Sequence, residues 1–266
     1  MQYINCKQYV QDILDTIKEM PEKKKLVIFT VGENLASESY VKGKIKDCEY
    51  CGIPYEHIKF VDEGTTKAKL AREIELANRD DSVGGIIVQL PLPEGYDEKL
   101  FTDMVAKEKD VDGFRADSPF KPCTPEGIMY LLRKELGDLT GKNALVIGRG
   151  KLVGEPIAKM LLDANCTVTV AHSKTMSLHN LLHNYEIVVS AVGKPRTVAL
   201  WHCWCAEAVV DCGVSRDENG KLVGDCFGFT EDWAVANPKV TPVPGGIGLL
   251  TRAMLMAHIA GLDLEE

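Results

Sequence analysis

The sequence predicts an α/β protein made of two strand–helix alternations, and three observations carry that prediction. Short apolar runs stopped by Gly or Pro alternate with amphipathic stretches, the pattern of a parallel sheet with helices on its faces. The alternation begins again after Gly141, which sets a domain break near residues 115–140. A glycine-rich turn, Gly148-Arg-Gly150-Lys-Leu-Val-Gly154, stands between a strand and a helix in the second series.

The elements follow in order. Val10, Ile13, Leu14 and Ile17 recur at helical spacing and define an opening amphipathic helix. Leu26–Val31 is a buried strand ending at Gly32, and the next helix runs from Ser37 to Cys51, stopped by Gly52. His57–Val61 reads as a strand, Thr66–Asn78 as a helix and Gly85–Gln89 as a strand halted by Leu90-Pro-Leu-Pro93. Thr124-Pro125-Glu126 reads as a hydroxyl cap followed by proline at the first helical position. Ala144–Gly148, Thr167–Ala171, Ile187–Ala191 and Ala208–Cys212 are strands of the second series. A helix from Pro156 to Leu162 follows the glycine turn, and a last helix follows Gly248.

The composition excludes several classes. The 266 residues carry 31 Lys plus Arg against 39 Asp plus Glu, a net charge of −8 that gives no general attraction to nucleic acid. Aliphatic content is too high for a disordered chain, and no apolar run approaches the ~18 residues of a membrane span. Met1-Gln-Tyr-Ile-Asn-Cys6 lacks the basic-then-apolar layout of a signal peptide, so the cytoplasm is the expected compartment. Nine cysteines in mostly apolar surroundings read as reduced, buried thiols. Cys48-Glu-Tyr-Cys51 has redox spacing but falls inside a helical pattern. His202-Cys203-Trp204-Cys205 has no second ligand pair at a zinc-like spacing, so no metal site is expected.

The glycine turn is built for a diphosphate. Glycines after a strand let the backbone turn tightly and approach a phosphate at a helix start. The spacing is one residue longer than the common dinucleotide fingerprint, and a ligand-free turn is the ordinary alternative. The end of the next strand sharpens the reading. An NAD site places Asp or Glu there for the ribose hydroxyl, whereas this chain has Ala171-His172-Ser173-Lys174. A hydroxyl and a cation, with Arg149 in the turn, suit a ribose 2′-phosphate, so charge favours NADP.

A second group lies on the helix over 37–51. Ser37, Tyr40 and Lys44, spaced by three and four, share one edge beside the apolar stripe of Val41, Ile45 and Cys48. Lys44 is expected at the rim between core and solvent, where a partly desolvated amine has a lowered pKa; an ordinary surface lysine is the alternative. Gln89, ending a buried strand, can orient an amine or satisfy backbone. Asp110 and Asp112 in Lys109-Asp-Val-Asp-Gly-Phe114 can bind a metal, cap a helix or hold the N–H groups of a heterocycle. Thr241-Pro-Val-Pro-Gly-Gly-Ile-Gly248 cannot be regular structure and reads as a loop that closes on a ligand.

Together these segments resemble the methylenetetrahydrofolate dehydrogenase/methenyltetrahydrofolate cyclohydrolase family. The matching stretches are Tyr40-Val-Lys-Gly-Lys44, Gly85–Pro93, Lys109–Phe114, Pro122-Cys-Thr-Pro-Glu-Gly127, Val146–Arg149 with Val153-Gly154, Ala171–Thr175, Ser190–Pro195, Lys221–Asp225 and Thr241–Gly248. They stand in the family's order along nearly the whole chain. The resemblance implies a folate-binding catalytic domain over 1–120, completed by a C-terminal helix over 245–266, and a Rossmann-type NADP domain over 121–244. It implies oxidation of 5,10-methylenetetrahydrofolate by NADP+, then hydrolysis of the methenyl product to 10-formyltetrahydrofolate, in a homodimer.

By matched position, Lys44 is the catalytic amine, assisted by Gln89; Tyr40 stacks on the folate; and Asp112 binds the pterin. Leu90, Pro244, Gly245 and Gly246 complete the substrate contacts. Arg149 and Ser173 hold the 2′-phosphate, with Gly148, Gly150, Val153, Gly154, His172, Lys174, Ala191 and Gly193 as further cofactor contacts. Three departures stand out. Gly150 replaces the usual Ser, Leu249 replaces a proline, and the segment between Phe114 and Pro122 lacks the family's His-Pro-x-Asn-x-Gly stretch. That shortening raises a second reading, a cyclohydrolase with weak or absent dehydrogenase activity. A folate- or nucleotide-binding module without turnover is a third, opposed by retained Lys44, Gln89 and Asp112.

Overall fold

Every strand of the two principal sheets runs parallel to its neighbours, the α/β arrangement that the alternation predicts. The computed structural model describes residues 2–61, 66–229 and 238–264. Its strands are β1 (Gln2–Tyr3), β2 (Lys25–Val31), β3 (Tyr55–Phe60), β4 (Val83–Val88), β5 (Asn143–Ile147), β6 (Thr167–Ala171), β7 (Ile187–Ser190), β8 (Val198–Ala199), β9 (Ala208–Asp211), β10 (Ser215–Arg216), β11 (Leu222–Val223), β12 (Cys226–Phe227) and β13 (Lys239–Val240). The helices are α1 (Cys6–Glu19), α2 (Leu35–Cys51), α3 (Thr66–Arg79), α4 (Glu98–Asp103), α5 (Cys123–Leu136), α6 (Gly154–Asp163), α7 (Leu178–Leu181) and α8 (Ile247–Ala260).

The chain divides into two units: Gln11–Cys123 with Arg252–Glu266, and Met1–Val10 with Thr124–Thr251. The first holds a three-stranded sheet in the order β3-β2-β4. Its side chains alternate as a pleated sheet requires. Val27, Phe29 and Val31 of β2 and Ile86 and Val88 of β4 join Leu70 and Ile74 of α3 in one buried cluster. On the other face Gly85 leaves room for Val111 and Ile259, which a Cβ at that position would meet at 2.9 and 3.1 Å. Each fully buried Ile, Leu or Phe contributes roughly 1.5–3 kcal/mol, so this core rather than helix propensity holds the unit.

The second unit holds a six-stranded sheet in the order β1-β13-β9-β7-β5-β6. Val188 and Val209 pair in register at its centre, and both are fully buried. Residues 2–3 extend this sheet by pairing with β13, although the sequence reading groups residues 1–120 as one domain. The expected helix start at Thr124 is displaced by one residue. Cys123 already belongs to α5, and the Thr124 hydroxyl meets that of Thr251 at 2.9 Å instead of capping. The final helix is α8; residues 265 and 266 of the expected C-terminal segment lie outside the described residues.

Candidate active site

In the three-stranded unit the site begins with α2. The Asn34 side chain accepts the Ser37 N–H at 3.1 Å, a polar N-cap that starts the helix after β2. Ser37, Tyr40 and Lys44 then fall on one face. Lys44 departs from expectation in one respect. It is 4% exposed, so it lies inside rather than at the rim. Its Nζ stands 3.7 Å from Asp112 Oδ2, both side chains nearly out of solvent. A buried ammonium is tolerated only beside such a partner.

The segment carrying Asp112 is fixed from several sides. The Val111 carbonyl accepts from His258 Nδ1 at 2.7 Å and from the Cys123 thiol at 3.2 Å. The Asp112 carbonyl accepts the Cys123 N–H at 3.3 Å. Asp110 takes the opposite role: its carboxylate accepts the Phe114 N–H at 3.3 Å and the Arg115 N–H at 2.9 Å. Burial pushes the Asp110 carboxyl above the ordinary carboxylate range, against the pull of those N–H groups. Of the alternatives the sequence left open for the two aspartates, Asp110 thus holds backbone and Asp112 faces a cation.

Gln89 sits where β4 ends. Its Nε2 donates to the Leu90 carbonyl at 2.8 Å, and the Ser37 hydroxyl reaches the same carbonyl at 3.5 Å. Gln89 Oε1 is buried without a hydrogen-bond partner. Buried acceptors are ordinarily hydrogen-bonded, so this oxygen is available to a donor bound beside it. Gln89 also lines a cavity of about 160 Å³ with Ser37, Val41, Thr30 and His57. Further along α2, Arg252 Nε approaches Asp47 Oδ2 to 2.8 Å. Gly43 makes that approach possible, since a Cβ there would collide with the guanidinium.

The shortened stretch after Asp112 follows a tight and heavily bonded path. Gly113 has φ +69°, and its Cα lies against the Lys121 carbonyl where a Cβ would not fit. The Arg115 guanidinium grips Asp117 at 2.8 and 2.9 Å, with Nη1 donating to the Val105 carbonyl at 3.2 Å and to that of Asp103. Phe120 lies on the His258 ring, centroids 4.7 Å apart.

The six-stranded unit carries the second set of residues. β5 is followed by Gly148, at φ +107°, where a Cβ would strike the Ala191 carbonyl. A Cβ at Gly154 would strike the carbonyl of Gly148. Gly148 and Gly154 are therefore obligatory, and the turn between β5 and α6 is a backbone cradle of the shape a diphosphate occupies. Gly150 has nothing within 4 Å, and Arg149 and Gly150 are exposed; half-buried Val153 precedes the first residue of α6. At the end of β6, His172 Nδ1 accepts the Lys174 N–H at 3.2 Å, and the His172 N–H donates to Thr175 Oγ1 at 2.9 Å. This closed turn presents Ser173 and Lys174 to solvent near no acidic residue of the strand end. A dinucleotide with a ribose 2′-phosphate fits that donor set. Ala191 and Gly193 lie in the loop after β7. Exposed Pro244 follows a cis peptide bond, Gly245 has φ +103°, and buried Gly246 precedes α8.

Residues 4–112 match the family described as tetrahydrofolate dehydrogenase/cyclohydrolase, catalytic domain. Residues 122–263 match the NAD(P)-binding domain of the same family. The chain belongs to the tetrahydrofolate dehydrogenase/cyclohydrolase family. It is therefore an enzyme with an NAD(P)-binding domain. It is 42% identical over 259 residues to the bifunctional protein FolD of Staphylococcus haemolyticus, covering 94% of this chain and 90% of that one. The structure of the bifunctional enzyme FolD, methylenetetrahydrofolate dehydrogenase/cyclohydrolase, from Campylobacter jejuni superposes with a TM-score of 0.87 at 36% identity, covering 97% and 96% of the two chains. A Trypanosoma brucei methylenetetrahydrofolate dehydrogenase-cyclohydrolase, complexed with NADP cofactor and an inhibitor, has the same TM-score at 29% identity, covering 98% and 96%.

The two family matches stop and start around residues 113–121, the short stretch held by Arg115. The NAD(P)-binding match extends through α8, although residues 252–260 of that helix pack with the unit that carries Lys44. Sequence reasoning missed His258, Cys123 and Asp225. His258 gives no motif signal, since a single histidine near a helix end has no spacing partner. Asp225 was legible only as the end of a matched stretch.

Proposed function

We propose that this family member catalyses NADP+-dependent oxidation of 5,10-methylenetetrahydrofolate and hydrolysis of the resulting methenyl cation to 10-formyltetrahydrofolate. The buried Lys44–Asp112 pair carries this reading. Attack of water on a methenyl cation releases a proton; Lys44 accepts it when its amine is neutral, and Asp112 holds the ammonium so formed. Asp112 holds the Lys44 amine and the pterin N–H groups, while Tyr40 stacks on the folate ring. Gln89 Oε1, buried and not bonded within the chain, accepts a hydrogen bond from water or substrate. Leu90, Pro244, Gly245 and Gly246 line the folate.

Tyr40, Lys44, Gln89, Leu90 and Asp112 belong to the unit of residues 11–123 and 252–264, whereas Pro244, Gly245, Gly246 and the cofactor residues belong to the six-stranded unit. Bound NADP+ supplies the hydride acceptor. Gly148, Gly150, Val153 and Gly154 shape the diphosphate turn; Arg149, Ser173 and Lys174 hold the 2′-phosphate; His172 fixes their turn; and Ala191 and Gly193 border the far end of the dinucleotide. The protein acts as a homodimer in the cytoplasm, where its nine cysteines stay reduced. Among the described residues no helix is long and apolar enough to cross a membrane.

One assay tests the reading. Methenyltetrahydrofolate absorbance is followed with NADP+, with NAD+ and, separately, during hydrolysis of added methenyl compound. Formation with NADP+ and decay without cofactor are expected; absence of either removes that half of the assignment. Light scattering during size exclusion checks the dimer.

A further inference from the structure

The loop after β7 is organised around a buried carboxylate that the two reactions do not use. Asp225 is fully buried, and its side chain accepts four hydrogen bonds, one from the last residue of β7 and three from that loop. Ser190 Oγ donates at 2.8 Å and the Val192 N–H at 2.9 Å to Oδ2, joined by the Gly193 N–H at 3.3 Å. The Lys194 N–H donates to Oδ1 at 2.8 Å. A buried anion is tolerated only when donors surround it in this way.

The carboxylate is itself held in place. The Asp225 N–H and the Gly213 N–H each donate to Asp211 Oδ1 at 2.9 Å, and the Cys226 N–H donates to Asp211 Oδ2 at 2.8 Å. Gly213 and Gly224 leave the space for the two carboxylates, since a Cβ on either would collide with the opposite aspartate. The Asp225 carbonyl in turn accepts the N–H groups of Thr197 and Val198 at 2.8 and 3.1 Å. The pair forms a built anchor at the carboxyl ends of β7 and β9.

Two consequences follow for the loop. The N–H groups of residues 192–194 converge on Asp225, so they are not turned toward a phosphate. The carbonyl of Ala191, the residue before them, rests against Gly148, where no Cβ fits. Fixing 192–194 therefore fixes the wall against which the diphosphate turn is seated.

We propose that Asp225 is a positioning residue of the cofactor site, acting through loop 190–194 on the Gly148 turn. This rests on the NADP reading given above. Asp225→Asn keeps the shape but turns an amide NH2 toward backbone donors. The expected result is a KM for NADP+ raised at least tenfold, a kcat changed less than threefold and methenyl hydrolysis within twofold of wild type. Amide hydrogen exchange at 192–194 in the cofactor-free protein should rise at least tenfold. Should Asp225→Asn fail to fold, Ser190→Ala removes one donor and is expected to raise the KM about threefold with hydrolysis unchanged.

An unchanged KM in the folded variants overturns the proposal. So does a parallel fall in both activities, which would mark Asp225 as a support of the whole fold. Wild type that binds no NADP+ overturns the cofactor reading instead, and the exchange measurement then still reports whether Asp225 holds the loop.

Discussion

Lys44 Nζ and Asp112 Oδ2 lie 3.7 Å apart with side-chain exposures of 6% and 12%, a cation and an anion joined across α2 and the loop before α5. Replacing Lys44 by Met keeps the length of the stem and removes the amine. Breaking a buried pair costs about 3–5 kcal/mol, and the long contact places this one at the lower end. A domain stable by roughly 5–15 kcal/mol survives that loss. Lys44→Met is expected to fold, with a lower Tm and methenyl hydrolysis reduced more than tenfold in an absorbance assay. NADP+ affinity should not change, because no cofactor residue lies in the same unit.

Asp110 makes an acid-range prediction. Burial holds its folded carboxyl above the ordinary value of about 3.9. Between those two values the folded protein binds more protons than the unfolded chain, so stability from this group is complete at lower pH and is lost as pH rises through the window. In urea titrations, the stability of wild type minus that of Asp110→Asn should shrink as pH increases from about 4 upward. A difference that grows with pH would place the folded carboxyl below the ordinary range.

Most of this fold was legible because its strands are short, apolar and separated by long amphipathic helices. Leu26–Val31 and Thr167–Ala171 coincide with β2 and β6 within a residue. β1 and β13 were invisible because two residues carry no periodicity; they exist only through pairing with each other and with β9. Lys44 was found by helical spacing, but its burial was not. That depends on Asp112, 68 positions away, and on the contacts that fix Val111. His258 and Asp225 act through backbone carbonyls and N–H groups, interactions that leave no pattern in the side-chain sequence.

Arg149 is exposed in the glycine turn, and the proposed function makes it the charge that selects the 2′-phosphate. Charge-assisted contacts to phosphate contribute roughly 1.5–3 kcal/mol, less where water competes. Arg149→Ala is expected to lower kcat/KM with NADP+ about tenfold while changing NAD+ use less than twofold. Equal losses with the two cofactors would remove the 2′-phosphate role.

Arg115 ties the shortened segment to the carbonyls of Val105 and Asp103 and to Asp117. Arg115→Ala should lower stability by about 1–2 kcal/mol, the guanidinium being partly solvated. The check is a chemical-denaturation midpoint with an unchanged m-value.

The glycine turn separates a required glycine from a dispensable one. Gly148 combines φ +107° with a backbone carbonyl where its Cβ would stand. An alanine there strains the backbone by about 1–3 kcal/mol and must also push Ala191 away, which disturbs loop 190–194. Gly150, one residue beyond the exposed Arg149, meets nothing within 4 Å and has no positive φ. An alanine at 150 fits the same backbone and reduces the entropy of the unfolded chain, a gain of about 0.4–1 kcal/mol. Gly148→Ala is therefore expected to lower Tm by several degrees and to raise the KM for NADP+ at least tenfold. Gly150→Ala should leave Tm equal or slightly higher and the KM within threefold. Titration of NADP+ against both purified variants, with methenyl hydrolysis as the control activity, decides it. If Gly150→Ala loses the cofactor as fully as Gly148→Ala, a ligand atom rather than the protein's own backbone occupies the space beside residue 150.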